Sequence, residues 1–346
     1  MTKAVIFGAT GAIGTALSKY LVSNNSDWTI DAVTRDATSD SRLKSLNLAN
    51  VTMVTGDPFD EASVLSVSQD ADVLFCCIGF HKYEAKYWSK HWPVVVENLL
   101  KATITTSNKK KKLIFCDNLY AYGNPAPQEI NPKTTARVEA SLSKGKPNVR
   151  SWMHARFQQH MKDHPGTLAI VGGADFFGPH VTQNSFLGDT CAGKIVPAAD
   201  SGKSATALCV GSADQIHDFC YSKDFAKAMA IAAVEDSKLA MDHFWICPHA
   251  IHNKTMRQIA ADIAVAAKAP APPKMQVLGK WMVYLLSPFM GFMSEMKEML
   301  PLWVKDYQVD DSDFCKTFGM EATPYEQALN EYVQFYQQQS KLQEKK

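Results

Sequence analysis

A glycine-rich turn close to the amino terminus constrains the fold of this chain more than any other feature. The apolar run Ala4–Phe7 leads into Gly8, and Gly11 and Gly14 follow before an amphipathic segment begins. Gly8 permits a tight turn, Gly11 lets a ligand approach the backbone, and Gly14 allows a helix to pack closely on the strand. Free N–H groups at the start of that helix attract phosphate. The pattern therefore predicts a dinucleotide-binding turn in a doubly wound sheet.

Apolar runs rich in β-branched residues alternate with amphipathic segments through the first half of the chain. This alternation predicts an α/β fold, a Rossmann doubly wound parallel sheet with right-handed crossovers. Beyond about residue 180 the pattern changes to short turn-rich pieces, among them 193–197, and then to a mainly helical section. We predict a dinucleotide-binding domain over 1–180, to which 205–245 returns, a smaller, mainly helical substrate domain over 181–204 and 246–335, and a polar tail over 336–346.

Charge and cysteine content narrow the class of protein. The 36 basic and 35 acidic residues nearly cancel, which does not indicate a nucleic-acid partner. The eight cysteines are scattered without a CxxC pair, which favours reduced thiols and a cytoplasmic location. The first apolar run is too short for a signal peptide, and Lys280 and Pro288 interrupt the most apolar later stretch. We therefore expect a small-molecule substrate, no nucleic acid and no membrane, with a homodimer as a candidate assembly.

The end of the second strand bears on the choice of cofactor. NAD-binding sheets usually place an acidic residue there to bind the ribose 2′-hydroxyl, whereas this chain has Thr34 and Arg35. A guanidinium group suits a 2′-phosphate, so NADP(H) is the preferred cofactor and NAD(H) the alternative. A purely structural role for Arg35, paired with Asp36, is the other interpretation. The third strand ends at Asp57, which can bind the adenine amino group.

Several further motifs agree, in order, with one known family. They are Gly8–Gly14, Gly56-Asp57, Cys76–Gly79, Asn98, Ala174–Pro179 and His217–Ala228. Together they resemble the NAD-dependent epimerase/dehydratase family of the extended short-chain dehydrogenase/reductase superfamily. The turn and this resemblance together imply cofactor contacts at Gly8, Thr10, Gly11, Ala12, Ile13, Gly14, Arg35, Asp57, Cys77, Ile78, Gly79, Tyr122, Ala174, Asp175 and Phe176.

The chain departs from that family where the chemistry is expected. The superfamily usually carries Ser or Thr at the end of the fifth strand and a Tyr-x-x-x-Lys pair on the next helix. Here Asn118 occupies the serine position, and no such pair exists between Gly123 and Asp175. Spacing places the missing pair near Lys146 and Arg150, or alternatively near Trp152 and Arg156. Arg150 could still hold the cofactor ribose, but arginine is a poor proton donor.

Tyr120 is the remaining candidate for the proton donor, because it lies two residues past the serine position. Asn118 would orient the carbonyl group or the tyrosine. The alternative is that Tyr120 forms only an aromatic wall of the pocket. A weaker resemblance to plant enone reductases of the progesterone 5β-reductase and iridoid synthase kind suggests hydride addition to a conjugated C=C bond. His217 stands where sugar-nucleotide enzymes usually carry a diphosphate-binding arginine, which disfavours such substrates.

Three functions remain open at this point. The first is an NADP(H)-dependent oxidoreductase acting on a small organic carbonyl or enone compound. The second is an epimerase or dehydratase with tightly held NAD(P), and the third is a non-catalytic dinucleotide sensor of the NmrA-like kind. We predict no metal site, although His160 with His164, and Cys247 with His249 and His252, have spacings that a metal could use.

Overall fold

The computed structural model describes residues 2–25, 27–38, 42–104, 111–183, 185–235 and 237–343. Its strands are β1 (Thr2–Phe7), β2 (Trp28–Thr34), β3 (Val51–Thr55), β4 (Val73–Cys76), β5 (Lys112–Asn118), β6 (Leu168–Gly173), β7 (Asp175–Phe177), β8 (Thr206–Val210), β9 (Phe219–Tyr221), β10 (Phe244–Ile246) and β11 (Lys274–Leu278). Its helices are α1 (Ala12–Asn24), α2 (Arg42–Ser45), α3 (Glu61–Val67), α4 (Ala85–Ile104), α5 (Lys146–Asp163), α6 (Gly193–Asp200), α7 (Ser222–Val234), α8 (Ser237–Ala240), α9 (Met256–Ala266), α10 (Lys280–Leu286), α11 (Gly291–Met299), α12 (Ser312–Phe318) and α13 (Tyr325–Gln343).

A seven-stranded sheet in the order β3-β2-β1-β4-β5-β6-β10 forms the centre of the molecule. Every pair of neighbouring strands is parallel. Its interior strands β4 and β6 are buried along their whole length, as strands covered by helices on both faces must be. The predicted α/β class and the Rossmann sheet are confirmed.

The glycine turn is held in place by the helix that follows it. Gly14, Leu17, Ser18 and Leu21 are buried in α1 at intervals of three and four residues, which is one face of a helix. That face lies on the sheet beside α7. The turn therefore sits at the carboxyl edge of β1, next to the point where the chain order of the sheet reverses from β1 to β4.

The smaller part of the molecule is built around two short parallel strand pairs, β8 with β11 and β7 with β9. Of the predicted returning segment 205–245, α7 and β10 pack with the Rossmann sheet, whereas β8 lies outside it. The turn predicted over 193–197 is wrong, because these residues belong to α6. Burial of Ile195 and Val196 against α13 outweighs the breaking tendencies of Gly193 and Pro197.

The predicted polar tail is also different in the structure. The helix α13 continues through Gln343, and Tyr336 on it is buried and donates a hydrogen bond to Asp189 at 3.3 Å. Residues 344–346 of the predicted tail lie outside the described residues. One apolar face of α13 therefore packs against the core of the smaller part. The sequence did not predict this, because the segment is rich in glutamine and lysine.

Candidate active site

A cavity of about 270 Å³ opens at the carboxyl edge of β1, β2 and β4, and we call it the glycine-loop cavity. Its walls combine the turn after β1, the ends of β2 and β3 and the loop after β4. Among the predicted cofactor residues, it is lined by Gly8, Thr10, Gly11, Arg35, Cys77, Ile78 and Gly79. The sequence motifs from three separate strand ends therefore meet at one site.

Two glycines of the turn, Gly8 and Gly14, leave no room for a side chain. Gly8 has φ +79°, and a Cβ atom there would lie 2.6 Å from the carbonyl oxygen of Cys77. A Cβ atom on Gly14 would lie 2.4 Å from the carbonyl oxygen of Gly8. Helix α1 begins after Gly11 without a side-chain cap and without an acidic residue in its first turn. The N–H groups of Ala12 and Ile13 are therefore available to a phosphate, and the cavity fits a dinucleotide.

Arg35 lies at the rim of this cavity and is exposed to solvent. The neighbouring Asp36 accepts hydrogen bonds from the backbone N–H and the hydroxyl group of Thr38, at 2.9 and 2.6 Å. No ion pair with Arg35 is present within the described part of the chain. Asp57 accepts a hydrogen bond from the backbone N–H of Phe59 at 2.9 Å. This bond shapes the loop to which the cavity-lining residues Gly56 and Pro58 belong.

A second cavity of about 410 Å³ lies beyond the carboxyl end of β5, and we call it the apolar cavity. Met293 and Met296 of α11 and Leu278 of β11 form one wall. Tyr83, Tyr120 and Asp175 supply polar groups to its lining. Among the described residues that line it, none is Lys or Arg. The complete lining is Tyr83, Tyr120, Asp175, Thr182, Gln183, Ser185, Phe186, Asp189, Thr190, Leu208, Val210, Leu278, Met293, Met296 and Trp303.

The loop after β4 connects the two cavities. Its first residues, Cys77 to His81, line the glycine-loop cavity, and Tyr83 lines the apolar cavity. The hydroxyl of Tyr83 donates a hydrogen bond to the hydroxyl of Tyr120 at 3.1 Å. Sequence reasoning missed Tyr83, because the fold alone brings this loop beside the end of β5.

Tyr120 follows β5 in a single 3-10 turn and is almost completely buried. Its hydroxyl donates to Oδ1 of Asp175 at 3.4 Å. Burial raises the pKa of Tyr120 well above its usual range, and the nearby Tyr83 and Asp175 reinforce the shift. Tyr120 therefore keeps its proton throughout the neutral pH range, which suits a proton donor and disfavours a base.

Asp175 links Tyr120 to a histidine from a different part of the chain. Its Oδ2 atom lies 2.9 Å from Nε2 of His217 and 3.5 Å from Nε1 of Trp303. Strand β7 pairs with β9 in register, with Asp175 opposite Phe219, so His217 comes to lie beside the carboxylate. The His217 ring is buried and stacks on Tyr307 with 5.0 Å between centroids. Its imidazole is therefore engaged with Asp175.

Asn118 and Arg150, both predicted as catalytic residues, lie outside the lining of the two cavities. Asn118 accepts a hydrogen bond from the backbone N–H of Tyr120 at 3.2 Å. Its side chain therefore shapes the turn that carries the tyrosine. Arg150 is buried and donates to Oδ1 of Asp117 at 2.7 Å. Its guanidinium lies between Trp88 and Trp92, at 5.0 and 4.3 Å from the ring centroids. Neither residue is part of the lining of the two cavities, and the predicted ribose-holding role of Arg150 stays a prediction.

Lys146, at the position predicted for the missing catalytic tyrosine, is completely buried at the start of α5. Its ammonium group forms ion pairs with Glu295 and, at 3.3 Å, with Glu298. The same nitrogen lies 4.6 Å from the centroid of the Tyr83 ring. Lys146 therefore contacts the hydrogen-bond partner of Tyr120, and it joins α5 to α11 on the edge of the apolar cavity.

Three further predicted cofactor residues, Tyr122, Ala174 and Phe176, are not part of the lining of either cavity. The ring of Tyr122 packs against Arg137 and His154. Ala174 donates its backbone N–H to Nε2 of His249 at 2.9 Å. Phe176 packs edge-on against Phe225, 4.9 Å between centroids. Of the residues Ala174 to Phe176, Asp175 alone lines the apolar cavity.

The histidines with metal-like spacing bind protein groups. Nε2 of His160 lies 3.1 Å from the hydroxyl groups of both Thr103 and Thr167. His252 bridges two carboxylates, with Nδ1 3.0 Å from Asp218 and Nε2 3.0 Å from Asp311. In the ranges that the structure describes, no group of three or more His, Cys, Asp or Glu side chains is arranged to hold a metal ion.

The His252 bridge predicts a pH-dependent stability. Burial lowers the pKa of His252, but the hydrogen bonds to Asp218 and Asp311 outweigh it and raise the pKa to about 10. The folded chain thus binds this proton more tightly than the unfolded chain, whose histidine has a pKa of about 6.5. The stabilisation is complete below about pH 6.5 and is lost as the pH rises towards about 10. We expect the melting temperature to fall over this range, and to fall less in His252→Gln. Parallel melting curves for the two proteins would contradict the assignment.

No helix in the described part of the chain has both the length and the apolar composition needed to cross a bilayer. The model of the NmrA-like family matches residues 1–90. No curated protein sequence matches the chain.

Solved structures match the chain over nearly its whole length. The dTDP-glucose 4,6-dehydratase of Bacillus anthracis, in complex with NAD, is 14% identical, with a TM-score of 0.74, 99% of this chain covered and 98% of that chain. The UDP-glucuronic acid 4-epimerase of Bacillus cereus, in complex with UDP-glucuronic acid and NAD, is 15% identical, with a TM-score of 0.73, 98% of this chain covered and 100% of that chain.

A third structure, the UDP-glucose 4-epimerase of Thermotoga maritima with UDP-glucose, is 16% identical, with a TM-score of 0.72, 98% of this chain covered and 99% of that chain. The resemblance inferred from the sequence motifs is thereby confirmed at the level of the fold. The chain has the Rossmann fold of these three structures, and its residues 1–90 match the model of the NmrA-like family.

Proposed function

We propose that this protein is an NADP(H)-dependent oxidoreductase that reduces a small, weakly charged organic carbonyl or enone compound. The observation that carries the proposal is the position of the Tyr120 hydroxyl group. It lies on the wall of the apolar cavity, hydrogen-bonded to Tyr83 and Asp175, at the same edge of the sheet as the glycine turn. A proton donor and a dinucleotide site at one sheet edge are the two parts that such a reduction requires.

The residues of this chain would divide the work as follows. A dinucleotide held on the turn Gly8–Gly14 would supply the hydride that the electrophilic carbon of the substrate needs. Tyr120 gives its proton to the oxygen, or to the neighbouring carbon of an enone, and so becomes a phenolate. Tyr83 donates a hydrogen bond to Tyr120 and would stabilise this phenolate until a proton from solvent restores it. Because burial favours the protonated form of Tyr120, the site holds the proton that the reduction requires.

NADP(H) rather than NAD(H) is proposed because of Arg35. Its guanidinium stands at the cavity rim, with Thr34 beside it and no acidic side chain at the end of β2. A 2′-phosphate would form a charge-assisted hydrogen bond with it. We expect Arg35→Ser to weaken NADPH binding by about tenfold, the value for one such bond at an exposed site. NADH has no 2′-phosphate, so its affinity serves as the internal control. Equal losses of affinity for NADPH and NADH would show that Arg35 does not determine which of the two cofactors is preferred.

Sugar-nucleotide epimerisation or dehydration, with tightly held NAD(P), is the second candidate, and the names of the structural neighbours support it. Two features of the site disfavour it. Among the described residues, the apolar cavity has no cationic side chain to bind a diphosphate. His217, in the place of the diphosphate-binding arginine, is already hydrogen-bonded to Asp175.

A non-catalytic dinucleotide sensor is the third candidate. The NmrA-like match over residues 1–90 favours it, together with the missing Tyr-x-x-x-Lys pair. A sensor would bind the dinucleotide on the glycine turn and use the second cavity, if at all, for a regulatory ligand. The Tyr83–Tyr120–Asp175 contacts favour an enzyme over a sensor, because a regulator needs no proton donor on its cavity wall.

One set of measurements separates the three candidates. The full chain is incubated with NADPH or NADH and with aldehydes, ketones, conjugated enones or nucleotide sugars. Loss of NADPH with a carbonyl or enone compound is the expected result. A changed sugar without net loss of cofactor would establish the epimerase. Tight NADPH binding without turnover of any compound would establish the sensor. Either of these last two results would overturn the proposed oxidoreductase function.

A further inference from the structure

A group of large apolar side chains on and after α10 is exposed. Trp281, Tyr284 and Leu285 lie on one face of this short helix, and Phe289 and Met290 follow in the turn before α11. Phe289 is 84% exposed and Trp281 69% exposed. We call these five residues the 281–290 surface. An apolar group of this size on the outside of a protein indicates a binding surface, because burying it again releases free energy.

The helix that presents this surface is anchored in the core by a buried side chain. Val283, on its opposite face, is completely buried in the main core cluster, and the N–H groups of Phe289 and Met290 both bond to the carbonyl oxygen of Leu286 at 3.0 Å. The exposed side chains therefore project from an ordered support, and they are held together as one surface.

Two lysine side chains, Lys280 and Lys297, border the 281–290 surface. Between Asp262 and Glu295 the sequence contains no acidic residue and three lysines, the last of which is Lys280. The ammonium groups of Lys280 and Lys297 lie 5.9 and 4.9 Å from the ring centroid of Tyr284. Glu295 is ion-paired with the buried Lys146. Aromatic and aliphatic side chains bordered by lysines are the composition that binds the surface of an anionic bilayer.

A second copy of the chain fits this surface less well. A symmetric dimer through it would bring Lys280 and Lys297 of both copies into one interface, where like charges repel each other. The head groups of anionic lipids instead supply the opposite charge.

The same chain segment also forms the wall of the apolar cavity. Leu278 precedes α10, and Met293 and Met296 follow the surface on α11, and all three line the cavity. The 281–290 surface and one wall of the apolar cavity therefore belong to the same chain segment, 278–296.

We propose that the 281–290 surface docks this protein on an anionic lipid bilayer and that the apolar cavity takes its substrate from the bilayer. The contact is peripheral, and it differs from the expectation from the sequence that no membrane is involved. The docking stands by itself, whereas the origin of the substrate rests on the proposed oxidoreductase function. The substrate class is then an apolar carbonyl or enone compound that partitions into lipid.

The docking is tested by sedimenting the full chain with vesicles of phosphatidylcholine, with or without phosphatidylserine. We expect binding to the phosphatidylserine vesicles that weakens with added salt. The double variant Trp281→Ser/Phe289→Ser should bind at least about tenfold more weakly, since each side chain loses its burial in the interface. Val265→Ser, which removes an equally exposed apolar side chain from α9, should bind like the wild type.

Several results would overturn the docking. The wild-type chain could stay in the supernatant, or the double variant could bind vesicles as well as the wild type does. Alternatively, neither protein could bind vesicles while the wild type forms a dimer that the double substitution abolishes. NADPH turnover is measured separately without vesicles. Vesicle binding without turnover on any compound would overturn the oxidoreductase and leave the docking in place. If vesicles increase the turnover of a lipid-soluble enone by the wild type and not by the double variant, the substrate comes from the bilayer. An equal increase for both proteins would overturn this part of the proposal.

Discussion

Replacing Tyr120 by phenylalanine is expected to lower kcat for the reduction by about a hundredfold or more, the usual contribution of a positioned proton donor. The substitution removes one oxygen atom and leaves the ring, which lies parallel to Trp88 with 6.4 Å between centroids. The cavity therefore keeps its shape, and KM for the substrate and the affinity for NADPH should change little. The measurement is steady-state kinetics with the best substrate of the panel.

Tyr122→Phe is the matched control for this variant. Tyr122 is two residues away, is also buried, and bonds through its hydroxyl group to Arg137 at 3.5 Å, outside the cavity lining. We expect its kcat to stay within a few-fold of the wild type. If Tyr120→Phe also retained turnover within a few-fold, the tyrosine would be only a wall of the cavity and the proton would come from another group.

Replacing Gly8 by alanine is expected to abolish dinucleotide binding at millimolar concentrations and to lower the melting temperature. The added Cβ atom would lie 2.6 Å from the carbonyl oxygen of Cys77, and φ of +79° is unfavourable for any side chain. A left-handed conformation costs an L-residue about 1 kcal/mol or more, and the backbone contact adds to this. The turn must therefore move away from β4, which changes the position of the N–H groups at the start of α1.

Gly79→Ala provides the comparison for Gly8→Ala. Gly79 lines the same cavity, but a Cβ atom there meets no atom within 4 Å and its φ angle is ordinary. We expect a melting temperature equal to that of the wild type and a smaller loss of NADPH affinity, both measured on the purified full chain by thermal unfolding and by calorimetric titration. An unchanged affinity in Gly8→Ala would mean that the dinucleotide binds elsewhere.

The sequence predicted the parts of the fold that depend on local pattern. The strands β1 to β6 were recognisable as short apolar runs, and the glycine turn between β1 and α1 was recognisable from residue type alone, because only glycine tolerates these contacts. The segment 193–197 misled the prediction. Its glycine and proline signal a turn locally, while the burial that makes it helical comes from α13, more than a hundred residues later.

The polar contacts of the site could not be predicted in the same way. Tyr83 and Tyr120 are 37 residues apart, and Asp175 and His217 are 42 residues apart. Each pair forms because separate elements reach the same edge of the sheet, and no spacing rule connects such residues. Sequence reasoning found Tyr120 only through its distance from the expected serine position, and it placed Asp175 among the cofactor contacts, although the carboxylate lies on the wall of the apolar cavity.

The hydrogen bond from Tyr120 to Asp175 has a consequence for substrate choice under the proposed reaction. The phenolic proton is directed at a carboxylate, with 3.4 Å between the two oxygen atoms. A compound that enters must offer an acceptor that competes with this carboxylate before the proton can follow the hydride. Ethers and isolated alkenes can fill the cavity and remain unchanged, whereas a conjugated carbonyl, whose oxygen gains negative charge as the hydride arrives, draws the proton to itself. Selectivity would then be set by the electron demand of the ligand, with its shape deciding only whether it enters.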